Sequence, residues 1–443
     1  KGLEISENQF IRFYPYIETL EPLVGYVRKD SLTGIVGIEK QYDQYLSPQR
    51  DATLEGVRDV GGNIILNKIS SINYHEDGYD LELSIMMPLQ KELEETLTAY
   101  RNDLQADEVM AAVMESKTGR ILAIASSNRY TPNAIKPRDV PSIKLGMIQY
   151  IFEPGSIIKP IVFSILLDRG KLSPDQMING YGGRYTMGTK VITDEHKMGI
   201  MRAEEAIIYS SNIAMAQLSQ RLEAEEYIEG LRGFGFAQKS GIDLPYEYSG
   251  DIPTLSQMRS EIYKATVSYG YGMRANFMQL LKAYNVFNND GKLITPRVGL
   301  ALRNGHTRYT IEQPQPVQII SPRTAQTMMS ILRKTVTEGT GKKTDIEGVL
   351  IGGKTGTAHI ARAGRYQNFY NSSFFGYAND AKHRYTIGTV VINPKTSYFA
   401  SETAAPIFRS IVERMGKRGM IYIPPLPDTN TTDSFTGHFP QVQ

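Results

Sequence analysis

Strand-like patterns of apolar and polar residues lie towards both ends of the chain, and helix-like patterns fill the middle. Residues 108–127 contain two apolar runs around a polar turn that ends in Gly119, which is typical of a β-hairpin. Three further strand patterns come late, at 349–360, 371–378 and 384–394. Because helices separate the two groups, we expect the early hairpin and the late strands to pair in one antiparallel sheet.

Apolar residues recur at helical spacing in several other segments. After a short strand, residues 81–104 place Leu93, Leu97 and Leu104 on one face with charges between them. The remaining helical patterns are 151–170, 201–222, 277–291, 323–339 and 402–415. The sequence therefore predicts an α+β fold in which helices flank a central antiparallel sheet.

The first region of the chain has a different character. Up to about residue 80, short β-branched and aromatic runs such as RFYPYIE, PLVGYV and GIVGIEKQYDQYL alternate with turns. We expect an N-terminal β-rich module at 1–80, which supports the rest of the chain or binds a partner. A main domain at 81–420 and a flexible Pro/Thr-rich tail at 421–443 would follow it.

Composition narrows the class of protein without identifying it. The 443 residues are 41% apolar and 22% charged, which is ordinary for a soluble globular protein. A net charge of +2 without a basic block argues against a nucleic-acid surface. No apolar run approaches the roughly 18 residues that span a bilayer. Since the chain begins at Lys1, we expect any signal or membrane anchor to lie upstream.

Cysteine is absent, and the six histidines are scattered without ligand spacing. The chain therefore has no disulfide framework, no thiol nucleophile and no Cys-based zinc site. The absence of cysteine fits an extracytoplasmic protein that avoids mispairing. We expect neither a metal ion nor a cofactor.

The segment IFEPGSIIKPIVFSILLDRG, residues 151–170, holds the first candidate for chemistry. Ser156 and Lys159 stand three apart at the head of an apolar helical run. The ring of Pro160 would clash with the carbonyl of Ser156, so a regular helix cannot run back through that serine. A serine at a helix N-terminus with an amine one turn later is a candidate activated nucleophile.

Lys159 can accept the serine's proton only if its amine is neutral. Its pKa must then fall from about 10.4 towards about 7–8, by burial or through a second nearby cation. Lys354, in the Gly-rich strand pattern IGGKTGTAHI, is available as that cation. A strand so poor in large side chains indicates that another backbone approaches closely. Lys354, Thr355 and Thr357 are therefore candidates to hold a carboxylate.

A third group lies in the helix-rich middle, at Ser210, Ser211 and Asn212. A serine hydroxyl there can relay protons, and an asparagine amide can orient a substrate carbonyl. The three patterns are individually unspecific, because S-x-N also begins at Ser6, Ser71 and Ser126. K-T-G also occurs at 117–119, where we interpret it as the hairpin turn. Their order and context carry the information.

Together these motifs form the S-x-x-K, S-x-N and K-T-G set of penicillin-binding proteins and serine β-lactamases. FEPGSIIKP, YSSNIAM, EGTG, GGKTGTA, SYGYGM and SKTGRILAIAS resemble class B penicillin-binding proteins, as do RFYP and GIEKQYD in the first region. The likeness runs from about residue 12 to about 415. The FEPGS sequence and Asn212 resemble the division type more than the elongation type.

The resemblance implies a transpeptidase domain of the penicillin-binding protein fold with an N-terminal pedestal, and D,D-transpeptidase activity on peptidoglycan stem peptides. It implies that Ser156 attacks the penultimate D-Ala carbonyl while Lys159 takes its proton. Ser210 would relay that proton and Asn212 would position the donor amide. The K-T-G-T strand, including Thr355, Gly356 and Thr357, would bind the terminal carboxylate, with Lys354 keeping Lys159 neutral.

The same resemblance implies β-lactam inhibition at Ser156, a periplasmic location behind a membrane anchor, and partners such as a membrane glycan polymerase and other division proteins. Two alternatives stay open. One is a β-lactamase or D,D-carboxypeptidase on the same fold, although we find no E-x-x-L-N segment between Ser210 and Lys354. The other is a non-catalytic β-lactam sensor, which keeps the serine but lacks an acceptor site.

Overall fold

The structure, a computed structural model, describes residues 12–49, 53–61, 63–68, 70–74, 76–362 and 365–424. Its α-helices are α1 (Gly37–Gln41), α2 (Asp43–Leu46), α3 (Met87–Leu104), α4 (Gly146–Gln149), α5 (Lys159–Asp168), α6 (Glu205–Ile208), α7 (Asn212–Ser219), α8 (Ala224–Gly233), α9 (Leu255–Met258), α10 (Glu261–Ser268), α11 (Phe277–Asn288), α12 (Pro322–Thr337) and α13 (Ala404–Lys417). Its strands are β1 (Thr53–Glu55), β2 (Ser71–Asn73), β3 (Asp80–Leu83), β4 (Glu108–Glu115), β5 (Ile121–Ser126), β6 (Met177–Asn179), β7 (Arg184–Met187), β8 (Lys190–Thr193), β9 (Ile200–Arg202), β10 (Lys292–Leu293), β11 (Gly299–Asn304), β12 (Thr307–Thr310), β13 (Val317–Gln318), β14 (Leu350–Arg362), β15 (Arg365–Asn379) and β16 (Arg384–Ile392).

A five-stranded antiparallel sheet in the order β14-β15-β16-β4-β5 forms the centre of the fold. The early hairpin β4–β5 meets the late strands through β16, where Ile387 lies opposite Val113. The predicted pairing of hairpin and late strands in one sheet is therefore confirmed. The K-T-G at 117–119 is the turn between β4 and β5, where Gly119 has a φ of +70°.

The two faces of the sheet follow the alternation of side chains along each strand. Val109, Ala111 and Val113 of β4 pack in a core with α3 and α13. The intervening residues of β4, such as Met110, pack in a second core with α5 and α11. Each fully buried large apolar side chain contributes about 1.5–3 kcal/mol. Helices on both faces thus hold the sheet in a fixed frame.

Helix α5 lies inside the molecule, because its side chains from Lys159 to Leu166 are all buried. It packs against α7, α8 and α12 and is apolar on every side except at its start. The residues just before it, including Ser156, are therefore held by a helix that is enclosed in the core.

The predicted helix over 201–222 is interrupted, and the interruption is part of the candidate site. The segment forms β9, α6 and α7, with a break at Ser210, whose φ is +63°. A left-handed residue ends a helix, and Ser211 begins the next by accepting a hydrogen bond from the Ala214 N–H. The sequence did not indicate the break, because apolar residues recur at helical spacing on both sides of it.

The described part of the first region differs from the strand-rich interpretation. Residues 37–46 form α1 and α2, because Ile38 and Tyr42 point to one side at helical spacing and are both buried. The small sheet β1–β2 follows, and β3 pairs with β11 of the later chain. The boundaries at 80 and 420 remain predictions, and most of the tail lies outside the described residues. Among those residues, none of the helices has the length and apolarity needed to cross a membrane.

Candidate active site

Ser156 lies on a tight turn immediately before α5. The 3₁₀ turn Gly155–Ile158 carries it, and α5 begins at Lys159, whose backbone N–H donates to the Ser156 carbonyl. Gly155 has a φ of +61°, a conformation that favours glycine. The prediction that a regular helix does not run back through Ser156 is therefore confirmed, and its side chain lines a cavity.

The Lys159 side chain is completely buried, and its Nζ contacts the break between α6 and α7. It donates to the Ser210 carbonyl at 2.6 Å and to the Ser210 Oγ at 3.0 Å. Burial lowers the pKa of Lys159 to about 7, against the opposing charges of Asp194 and Glu195. A neutral amine has two N–H bonds and one lone pair, so two acceptors leave the lone pair available for a proton.

Ser210 is held in a strained conformation that brings both of its oxygens to Lys159. A non-glycine residue at positive φ costs of the order of 1–3 kcal/mol, and such strained residues cluster at functional sites. Asn212 begins α7 two residues later, lines the same cavity, and donates from Nδ2 to the Thr193 carbonyl at 3.0 Å. The break thus places two side chains of the S-x-N motif at one cavity.

Asp194 fixes this arrangement, although nothing in the sequence pattern singled it out. Its carboxylate accepts hydrogen bonds from the Ser211 hydroxyl, from the Asn212 N–H at 2.6 Å and from the Ile213 N–H at 3.1 Å. A carboxylate at a helix N-terminus satisfies free N–H groups and is favoured by the helix dipole. Asp194 therefore anchors the start of α7.

Lys354 and its threonines lie on β14, which is an edge strand of the central sheet. Lys354 is completely buried, and its pKa is well below the ordinary value because of burial and of the charge on Lys159. The Thr355 hydroxyl shares a hydrogen bond of 2.7 Å with that of Thr340, in the EGTG segment. The Thr357 Oγ1 accepts from the Ala400 N–H at 3.3 Å. The charge of Lys159 thus acts on Lys354, whereas burial is what lowers the pKa of Lys159, and the part of Lys354 in keeping Lys159 neutral stays a prediction.

Gly356 shows why this strand is built from small residues. A Cβ at Gly356 would lie 2.8 Å from the Cγ2 of Ile157 and 3.2 Å from the Pro154 carbonyl oxygen. The turn that carries the nucleophile therefore packs against this strand, mainly through the Ile157 side chain, and the approach of a further backbone stays a prediction. At Gly352 and Gly353 the close neighbours are instead aromatic rings of β15.

A cavity of about 370 Å³ unites these residues. Its lining includes Ser156, Ser210, Asn212, Thr355 and Thr357. The lining residues that sequence reasoning missed are Glu195, Tyr209, Tyr269, Tyr271, Thr340, His359, Tyr370, Tyr398, Phe399, Ala400 and Ser401. Those that lie in SYGYGM and EGTG were signalled only by the resemblance. Lys159 and Lys354 lie beneath the surface of the cavity, and no cluster of described residues is suited to hold a metal ion.

Aromatic side chains make one wall of the cavity. Tyr370 stacks on Tyr398 with a centroid distance of 4.5 Å, and Tyr398 contacts Phe399 at 4.3 Å. Glu153, just before the nucleophile turn, accepts hydrogen bonds from the Tyr366 hydroxyl and from the Gly272 N–H. That carboxylate ties the β14–β15 hairpin and the SYGYGM loop to the segment that carries Ser156.

Comparison with known protein families shows which family has this fold and this site. Residues 109–413 match the penicillin binding protein transpeptidase domain, which is more than half of the chain. The chain belongs to the penicillin-binding protein transpeptidase family. The central sheet and the nucleophile turn described above both lie within the matched residues. The predicted fold class is confirmed.

Relatives and solved structures extend the likeness beyond that domain. The chain is 28% identical to penicillin-binding protein PbpB of Mycolicibacterium smegmatis over 439 residues, which is 95% of this chain and 67% of that protein. It is 28% identical to the peptidoglycan D,D-transpeptidase FtsI of Buchnera aphidicola, over 94% of this chain and 71% of that protein. The ampicillin complex of penicillin binding protein 3 from Mycobacterium tuberculosis has a TM-score of 0.81 at 27% identity, covering 94% of this chain and 91% of that one.

These comparisons confirm a class B penicillin-binding protein of the division type, and with it the transpeptidase enzyme class. The chain spans about two thirds of the length of the first curated relatives, from 64% to 67%.

Proposed function

We propose that this chain crosslinks peptidoglycan by D,D-transpeptidation through an acyl-enzyme on Ser156. One observation carries the proposal: the Lys159 amine, buried one turn from Ser156, donates both of its hydrogen bonds to Ser210. This geometry fits a neutral base with a free lone pair, one helical turn from the Ser156 hydroxyl that lines the cavity. The substrate we infer is a stem peptide that ends in D-Ala-D-Ala.

Acylation of Ser156 uses the two buried contacts of Lys159. The amine takes the Ser156 proton as Oγ attacks the penultimate carbonyl. Ser210, within 3.0 Å of Lys159 Nζ, passes a proton to the nitrogen of the departing D-Ala. The peptide N–H groups of Ser156 and Thr357 stabilise the oxyanion, and such a donor is typically worth about 2.7–4 kcal/mol.

The edge strand β14 binds the donor peptide. Within the described chain it pairs on one side only, with β15, so its other edge is free for an extended substrate. Thr355 and Thr357 offer hydroxyls at the cavity, and Lys354 lies beside Thr355. A terminal carboxylate bound there raises the pKa of Lys354 again, so that the lysine regains its charge as the substrate arrives. Asn212 on the opposite wall orients the donor amide.

We also propose that β-lactams acylate Ser156, since they present the same acyl group to the same hydroxyl. An extracytoplasmic location behind an upstream membrane anchor is part of the proposal, as is docking of the first region to a membrane glycan polymerase or another division protein. These proposals rest on the family resemblance and on the names of the relatives.

Acyl transfer to an amine distinguishes this proposal from its two rivals. The protein is incubated with a thioester analogue of the donor peptide and with an amine acceptor, and products are identified by mass spectrometry. A transpeptidase gives the amide product. A hydrolase gives only the free acid, and a sensor protein gives a stable acyl-enzyme without turnover.

The acylation rate is expected to rise with pH and to level off above a midpoint close to that of Lys159. Burial lowers the pKa of this amine to about 7, so the reactive neutral form is lost as the pH falls. Below the midpoint the rate should drop about tenfold per pH unit. Stopped-flow measurement of acylation by a chromogenic cephalosporin tests this, and a rate independent of pH between about 5 and 8 would exclude Lys159 as the base.

A further inference from the structure

Glu195 is the one lining residue of the cavity with a carboxylate side chain. It is exposed on the bend that follows β8, and no hydrogen bond or ion pair to it is found in the part of the chain that the structure describes. Its neighbours are fixed, because Asp194 anchors α7 and the His196 ring contacts the Tyr209 ring at 6.3 Å. The residues on either side of Glu195 are therefore anchored, while its own carboxylate takes no part in holding the fold.

The charge of Glu195 is not neutralised by any other side chain that lines the cavity. The remaining lining residues carry hydroxyl, amide, imidazole, phenyl or methyl groups, and no lysine or arginine is among them. The two buried lysines lie close enough for the Glu195 carboxylate to raise the pKa of each, against the effect of burial. An unpaired carboxylate beside Lys159 and Lys354 also repels the carboxylate of a donor peptide.

The second substrate of the reaction can neutralise the charge of Glu195, because an amine acceptor is protonated in water and therefore carries a positive charge. We propose that Glu195 binds the ammonium group of the acceptor strand and so selects cationic acceptors. This assignment rests on the proposed function. Tyr209 and Tyr271, which also line the cavity, offer aromatic faces that attract the same charge.

Transfer of the acyl group removes two protons from the acceptor ammonium. The bound ammonium first loses one proton to solvent and becomes a neutral amine. Its nitrogen forms a bond to the acyl carbon while the bond from that carbon to Ser156 Oγ breaks. The second amine proton passes through Ser210 to Oγ, which leaves as the free hydroxyl. Glu195 binds and orients the acceptor, and it takes no part in donor acylation.

Partition of the acyl-enzyme between an amine and water tests the assignment. The acyl-enzyme is formed from a thioester donor, and a peptide acceptor whose only amine is a lysine side chain competes with hydrolysis. In Glu195→Gln we expect the ratio of aminolysis to hydrolysis to fall about tenfold, the size of one lost charge-assisted contact. The loss should be in the acceptor KM, with Glu195→Asp recovering part of it.

An O-alkyl hydroxylamine, which is uncharged at neutral pH, serves as the matched acceptor. Its partition ratio should be unchanged in Glu195→Gln, because no ammonium is bound. Glu225→Gln, on the surface of α8 and paired with Arg259, is the control variant. An equal loss with both acceptors, or none with either, would overturn the assignment. So would a selective loss of hydrolysis, which would make Glu195 a base for water. If no variant forms an acyl-enzyme, the proposed function itself has failed.

Discussion

Replacing Ser156 with alanine is expected to abolish covalent labelling by a fluorescent penicillin and to leave the fold intact. The side chain lines the cavity, and its Oγ is not needed to hold the 3₁₀ turn, which is set by Gly155 and the buried α5. Loss of a nucleophile lowers the rate by as much as about 10⁶. Gel fluorescence after penicillin exposure measures the labelling, and circular dichroism measures the fold.

Ser401→Ala is the matched control, because Ser401 lines the same cavity. No buried amine lies one helical turn from it, so its removal should keep labelling within about twofold of the original. Labelling that persists in Ser156→Ala would show that another side chain is the nucleophile.

Replacing Lys159 with methionine is expected to lower the acylation rate by about 10²–10⁴-fold, since the general base is lost. The same change removes the cost of burying an amine but also the two hydrogen bonds to Ser210, so we expect the free energy of unfolding at neutral pH to stay within about 1–2 kcal/mol of the original. Methionine fills the same buried space without an amine that prefers water. Stopped-flow acylation and thermal unfolding monitored by circular dichroism give the two readouts.

The lowered pKa of Lys159 also determines how the stability of the protein changes with pH. Burial lowers the pKa of Lys159 to about 7. The unfolded chain therefore binds more protons than the native one between that value and the ordinary pKa, and stability rises with pH across this window. Lys159→Met should make the stability depend less on pH across this window. Lys354, whose pKa is also lowered, contributes the part of the rise that remains.

Lys282→Met provides the control for a buried lysine away from the cavity. Burial also lowers the pKa of Lys282, whose Nζ donates to the Ser240 carbonyl at 2.8 Å. Its replacement should leave acylation within about twofold of the original. Equal loss of acylation in both variants would point to a general structural effect, and full acylation in Lys159→Met would remove Lys159 from the mechanism.

Local rules were sufficient to predict the centre of the fold and the nucleophile turn. The alternation in β4 and the clash that Pro160 imposes on the residues before it both depend on short-range geometry. The small residues around Lys354 predicted the close approach of another backbone, whereas the nearest atoms to a Cβ at Gly356 belong to the side chains of Ile157 and Ser373. Strand alternation, a proline and a run of glycines can each be interpreted from sequence because few backbone conformations are compatible with them.

Long-range contacts explain what the sequence did not predict. The break at Ser210 depends on Lys159, whose Nζ reaches its carbonyl from another helix, and on Asp194, which caps α7 from a separate bend. No periodicity within 201–222 contains that information. Similarly, two short helices form on either side of Tyr42, which is buried together with Ile38, although the β-branched and aromatic residues around them favour strands.

The most direct test of the account is intact-mass analysis after brief exposure to penicillin, followed over hours and combined with peptide mapping. We expect a single adduct on the peptide that contains Ser156, and we expect that adduct to persist. An adduct that disappears within seconds would indicate a β-lactamase. No adduct at all would show that Ser156, Lys159 and Lys354 do not form a working site, and would contradict the account.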